Sequence, residues 1–241
     1  MIREAVRFAR GRLKIVAQSN HPSSKLAAEI ARCNEEAGAA VISFALPRMF
    51  AIGEDDLLRY AERITRAVNV PVLIQDFNPG GATVGAAFAL RLKETAPNFR
   101  FLKLEEPCMG PKVRAIREAT GGSVGVLEGW GGMYLLELMP AGICGAMPGL
   151  GMVDLFQSLV RDARSGDMDK AAATFERMLP FIVLSLQNME LFHHAEKQLL
   201  GRRGVLPSAR VRDAHLTLDE TTQAYLDRLI GRITNFATGR T

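Results

Sequence analysis

Lys103 is the residue of this 241-residue sequence whose type and setting could do the most chemistry. It stands in the run Arg100-Phe101-Leu102-Lys103-Leu104, which reads as a β-strand. If its side chain points into a packed interior, an ammonium is costly there, and the neutral amine this favours can attack a carbonyl. The imine so formed draws electrons from the carbon beside it. The other use of such a lysine is to lay its stem on apolar surface and return its charge to water, and the run alone leaves both uses open. Glu105 follows two residues later, on the same face of an extended chain. It could hold the lysine or carry a proton to or from a substrate, or it could be a capping or solvated carboxylate. Glu106, on the opposite face, reads as the latter. By the same spacing Gln75 shares a face with Phe77, and it could donate to a substrate hydroxyl or carboxylate or simply be a polar group at a strand mouth.

The elements that must position these residues alternate along the chain. Short apolar runs (13–17, 40–45, 70–75, 100–104, 124–127 and 143–147) are each followed by an amphipathic segment (23–38, 53–68, 85–95, 111–119, 132–138 and 153–163). Ser23 and Ser24 are N-cap candidates for the first of these segments, and Gly38 stops it. Near-continuous apolar strands between helices predict a parallel sheet covered by helices. The strands recur at roughly 20 to 30 residues, the repeat of a (β/α) barrel. No G-x-G-x-x-G follows an early strand, which weakens a doubly wound alternative. From Met168 the pattern is helical only (168–184, 188–200 and 218–237). The expected organisation is a partial barrel over 1–165 and a C-terminal helical extension over 166–241. Six βα units are two short of a closed eightfold barrel, a deficit of about 60 residues.

In such barrels chemistry gathers where strands end. Besides Lys103, Glu105 and Gln75, the strand ends supply Pro47, Met49, Phe77, Glu128, Gly129, Trp130 and Met147 as candidates for a substrate-binding wall. Gly129, Gly131 and Gly132 around Trp130 allow close backbone approach to an anion, or simply turns with φ > 0.

Composition excludes other classes of function. The formal charge of +4 is spread along helical faces, with Glu62 and Arg66 one turn apart, and only 7% of residues are aromatic, so nucleic acid is not the expected partner. Three scattered cysteines (Cys33, Cys108 and Cys144) form no CxxC, and adjacent His193 and His194 point to different helix faces, so neither a disulfide scaffold nor a metal site is expected. No signal sequence is read at the start, and the apolar stretch 180–186 is too short to span a bilayer. A soluble, cytoplasmic protein that needs no cofactor is the expectation.

Several motifs, in this order, resemble the dihydrodipicolinate synthase and N-acetylneuraminate lyase superfamily of class I aldolases and dehydratases. They are Glu36-Ala37-Gly38-Ala39, the Lys103 strand, Gly129-Trp130-Gly131-Gly132, Ala141-Gly142-Ile143-Cys144-Gly145 and Ser165-Gly166-Asp167. Ile74-Gln75-Asp76-Phe77 paired with Leu102-Lys103-Leu104-Glu105-Glu106-Pro107 is most similar to the branch that contains 2-oxo-3-deoxy sugar acid dehydratases. The resemblance implies a (β/α)8 TIM barrel, Lys103 as the Schiff-base lysine, a small-molecule 2-oxo acid as substrate and a homo-oligomer, a dimer or tetramer. It also shows departures. Arg48 and Met49 stand where the family has paired tyrosines, and Gln75 falls on the proton-relay tyrosine. Loss of the phenol relay disfavours dihydrodipicolinate synthesis and sialic acid cleavage, and dehydration with Glu105 or a water as proton carrier survives better. Aligned by its motifs, Met1 falls in the family's second helix, so the first βαβ segment and its Gly-Thr-Thr-Gly-like carboxylate-binding loop are expected to be missing. A late start or a truncation is favoured over an evolved six-unit barrel.

The resulting expectation is a Schiff-base lyase that dehydrates or cleaves a 2-oxo-3-deoxy sugar acid. The alternatives are a synthase-like condensation of pyruvate and a non-catalytic barrel that binds 2-oxo acids.

Overall fold

The computed structural model describes residues 1–48, 51–79 and 81–237. Six parallel strands form one sheet in chain order: β1 (Val16–Gln18), β2 (Val41–Ala45), β3 (Val72–Phe77), β4 (Phe99–Glu105), β5 (Gly125–Glu128) and β6 (Gly145–Ala146). Helix α1 (Ile2–Ala9) precedes β1, and the strands are joined by α2 (Ser24–Glu36), α3 (Glu54–Thr65), α4 (Ala86–Thr95), α5 (Gly110–Ala119) and the short α6 (Leu135–Leu138). After β6 come a 3₁₀ turn (Leu150–Met152), α7 (Val153–Arg164), α8 (Met168–Ser185), α9 (Met189–Arg202) and α10 (Glu220–Ala237). The parallel α/β sheet read from the sequence is what forms, strand for strand.

Two strands are shorter than their apolar runs. β1 runs over 16–18 instead of 13–17, because its ladder begins only where Val16 meets Val41, and Leu13 is left 70% exposed. β6 is reduced to Gly145 and Ala146, opposite Leu127 and Glu128 of β5. The segment 132–138 is helical only from Leu135, since Gly131 and Gly132 adopt φ of +65° and +86°. Gly132 cannot be replaced cheaply, because a Cβ there would lie 2.4 Å from the Phe156 ring.

The chain divides into two compact units. The first comprises residues 1–129 and 137–146 and carries the sheet. Its strands alternate between two faces. Ile42, Phe44, Val72, Ile74, Leu102, Leu104 and Val126 are fully buried on one face. Leu57 and Ile64 of α3, Phe88 and Leu92 of α4, and Val113 and Ile116 of α5 are buried likewise. Burial of each large apolar side chain is worth about 1.5–3 kcal/mol, so this layer fixes the register. On the other, open face stand Gln75, Phe101, Lys103 and Leu127, all partly exposed. The second unit, 130–136 and 147–241, is helical, with α8 packed against α7, α9 and α10. Within it the buried Glu196 of α9 accepts the backbone N–H of Gly151 at 2.7 Å, and burial pushes its carboxyl above the usual range.

Two charged ties hold the loops that follow β2, β3 and β4. Asp76, fully buried on the covered face of β3, accepts Arg48 Nε at 2.8 Å, Arg48 Nη2 at 2.7 Å and the Val84 N–H at 2.7 Å. Just beyond β4, Glu106 pairs with Lys112 of α5 and accepts the Thr83 N–H at 2.7 Å. Lys112 Nζ also donates to the Thr83 carbonyl at 2.9 Å. Glu106, read from its face as a capping or solvated carboxylate, is instead a largely buried tie to Lys112 and Thr83.

Asp76→Ala leaves the Arg48 guanidinium partly buried without its counter-charge, and is expected to cost about 3–5 kcal/mol in urea unfolding. A loss under about 1 kcal/mol, the worth of a surface pair, would contradict the assignment. Burial alone would raise the Glu106 carboxyl, but hydrogen bonds from Lys112 and Thr83 hold it below its ordinary range. Its contribution to stability is therefore complete above the ordinary glutamate pKa and is lost as pH falls through the depressed value. Glu106→Gln should show a shallower loss of urea midpoint on acidification than the unaltered protein, and parallel curves would refute the tie.

Candidate functional site

Parallel register brings Gln75 of β3 opposite Lys103 of β4, and Phe77 opposite Glu105. Because side chains alternate, Lys103 and Glu105 emerge on the open face, whereas Leu102 and Leu104 between them are buried under helices. Lys103 Nζ donates to Glu105 Oε1 at 2.5 Å, and the two side chains are only 12% and 11% exposed. Gln75 Nε2 donates to the same oxygen at 2.5 Å. One carboxylate oxygen thus gathers an amine and an amide from two strands.

Gln18, at the end of β1, extends this row: its Nε2 donates to Gln75 Oε1 at 3.3 Å. The backbone around it is tied down. Asn34 of α2 donates to the Gln18 carbonyl at 3.3 Å and to Ser19 Oγ at 3.0 Å, and the Ala45 N–H donates to Asn20 Oδ1 at 2.7 Å. Gln18 had not been singled out from the sequence, since the predicted strand stops one residue short of it. The signal that could have found it is the alternation of Val16 and Gln18 about buried Ala17.

Gly129 closes the row from β5. Its N–H donates to the Leu104 carbonyl at 3.0 Å. A Cβ at this position would lie 2.5 Å from Glu105 Cγ, 2.8 Å from the Leu104 carbonyl and 3.0 Å from Lys103 Cγ. Glycine is needed here for close approach, since the carboxylate stem of Glu105 occupies the space of a side chain.

The remaining sequence-derived residues are distributed differently. Phe77 is 42% exposed at the end of β3, on the face of Gln75. Pro47 lies just after β2, and Met49 lies outside the described residues. Glu128 alternates with Leu127 and so lies on the covered face, fully buried. Trp130 and Met147 belong to the second unit, where the Trp130 ring meets Tyr134 edge-on at 6.1 Å. The row is therefore Gln18, Gln75, Glu105, Lys103 and Gly129. Among the described residues, no group of three or more His, Cys, Asp or Glu side chains could hold a metal ion, and no helix is long and apolar enough to cross a membrane.

Comparison with known proteins gives consistent matches. A model of the dihydrodipicolinate synthetase family matches residues 1–233. The chain is 25% identical over 237 residues to an L-2-keto-3-deoxyarabonate dehydratase of Azospirillum brasilense, a match covering 97% of this chain and 76% of that protein. It is 27% identical over 216 residues to a 4-hydroxy-tetrahydrodipicolinate synthase of Chlorobium chlorochromatii, covering 86% of this chain and 69% of that one. Among solved structures, a prophage protein of the dihydrodipicolinic acid synthase family from E. coli K12, in complex with pyruvate, aligns with a TM-score of 0.84. That alignment covers 97% of this chain and 79% of the other at 21% identity, and it speaks for the fold.

Gly129→Ala should cost about 1–3 kcal/mol by overpacking. Gly231→Ala in α10, where nothing lies within 4 Å of the added carbon, should be neutral or stabilising. Thermal melting of the two variants decides, and equal melting temperatures would deny the close approach at Gly129.

Proposed function

The chain belongs to the dihydrodipicolinate synthetase family, and from that premise we propose that it is a Schiff-base lyase that dehydrates a 2-oxo-3-deoxy sugar acid. The observation that carries this reading is the contact between Lys103 and Glu105, with Gln75 on the same carboxylate oxygen. The name of the Azospirillum brasilense relative, a dehydratase of a 2-keto-3-deoxy acid, supports the substrate class.

Lys103 is the nucleophile and Glu105 its proton partner. Along their 2.5 Å contact, Glu105 takes a proton from the ammonium, and the free amine adds to the C2 carbonyl. The carbinolamine loses water with the proton returned by Glu105, leaving a protonated imine. This cation acidifies C3. Glu105 removes a C3 proton, and the electron pair, held as an enamine, then expels the C4 hydroxyl. That hydroxyl leaves as water with the proton from Glu105. Hydrolysis of the remaining imine consumes one water and restores Lys103, so the net change is loss of one water from the substrate.

Gln75 is a positioning residue in this scheme. Its amide fixes the rotamer of Glu105 and, where the family has a phenol, leaves proton transfer to the carboxylate. Phe77, with Pro47 and Gly129, supplies the wall of the substrate site in this reading, and buried Glu128 underpins the end of β5. The six strands form a partial (β/α) barrel over 1–165, the helices from 166 form an extension, and the enzyme works as a homo-oligomer.

Borohydride reduction in the presence of pyruvate or a 2-oxo-3-deoxy sugar acid should add the reduced adduct's mass at Lys103, located by peptide mass spectrometry. Lys103→Ala should abolish the adduct with the circular dichroism spectrum retained. Absence of any adduct on the unaltered protein would sink the proposal.

A further inference from the structure

We propose that Gln18 determines substrate specificity, its side-chain carbonyl accepting a hydrogen bond from a hydroxyl on the tail of the 2-oxo acid. The inference rests on the Schiff-base reading of Lys103 and extends it to the substrate's far end.

Hydrogen-bond direction orients every amide in the row. A carboxylate facing an ammonium has only acceptors to offer. Gln75 must therefore turn its NH₂ toward Glu105, which leaves its own carbonyl facing β1. Gln18 must then turn its NH₂ toward that carbonyl. The polarity of the whole row is thus set at Lys103 and transmitted through two amides. Its free end is the Gln18 carbonyl oxygen, which no donor among the described residues reaches. An amide oxygen with its orientation fixed, exposed on the open face, selects a donor, and a sugar hydroxyl is one.

The opposite direction along the sheet offers no such group. Beyond Lys103 the open face continues through Leu127 of β5 and its register partner Gly145 of β6, and Gly125 and Gly129 flank Leu127. None of these carries a polar side chain. A polyhydroxylated tail anchored at C2 by Lys103 finds side-chain hydrogen bonds toward β1, past Gln75 and onto Gln18. Pyruvate, which has no tail, gains nothing from Gln18.

The test is borohydride trapping on the purified chain, titrated with pyruvate and with a 2-oxo-3-deoxy pentonate, for the unaltered protein and for Gln18→Leu. The quantity read is the ratio of the sugar acid's half-saturating concentration to that of pyruvate. It should rise roughly tenfold in Gln18→Leu, the order expected for loss of one substrate hydrogen bond. Gln18→Ala, with the same expectation, serves if the leucine variant fails to fold. An unchanged ratio, whether both concentrations stay the same or both rise equally, overturns the proposal and makes Gln18 only a support for Gln75. A missing adduct with either acid on the unaltered protein is a different result, which removes the Schiff-base reading and this inference together.

Discussion

A single carboxylate oxygen, Glu105 Oε1, accepts from Lys103 on its own strand and from Gln75 on the neighbouring one, and the polar face of the sheet is arranged around it. Removing an ammonium and a carboxylate from water costs several kcal/mol per ion, a penalty recovered only where geometry is tight and the remaining lone pairs are used. Here the second donor is an amide, which adds a hydrogen bond without adding charge. Gly129 completes the arrangement by leaving no side chain where the stem of Glu105 must lie.

That arrangement depends on register. A slip of one residue in β3 or β4 would turn Gln75 or Lys103 toward the helices and bring Leu104 or Ile74 to the open face. The buried layer prevents it, because Ile74, Leu102 and Leu104 are fully buried on the covered face. Hydrophobic packing on one side of the sheet therefore decides which polar atoms meet on the other.

The loops beyond the strands are held by charge. Asp76 and Glu106 each bind one basic side chain and one backbone N–H of the segment 83–84, so that the connection from β3 to α4 is fastened from both its own strand and β4. Arg48 is spent on Asp76 and the covered face, and Gln75 is spent on Glu105.

Much of this was legible in the sequence. Period-two spacing placed Glu105 with Lys103 and set Glu106 apart, and alternating apolar runs and amphipathic segments identified all six strands of the parallel sheet. The start of α2 at Ser23 was readable from local residues, because capping preferences act within a turn. What sequence could not reach was anything that crosses strands. Gln18 lies 57 residues from Gln75, Arg48 lies 28 from Asp76, and their pairing follows from a register fixed by side chains on the far face. Glu128 illustrates the same limit: proximity to a strand end made it a candidate, but the phase of β5 turned it into the covered layer. The sequence by itself determined the elements and the faces within each strand. Only the tertiary structure decided which groups on different strands share a hydrogen bond, because that choice is made by the packing of the whole sheet against its helices.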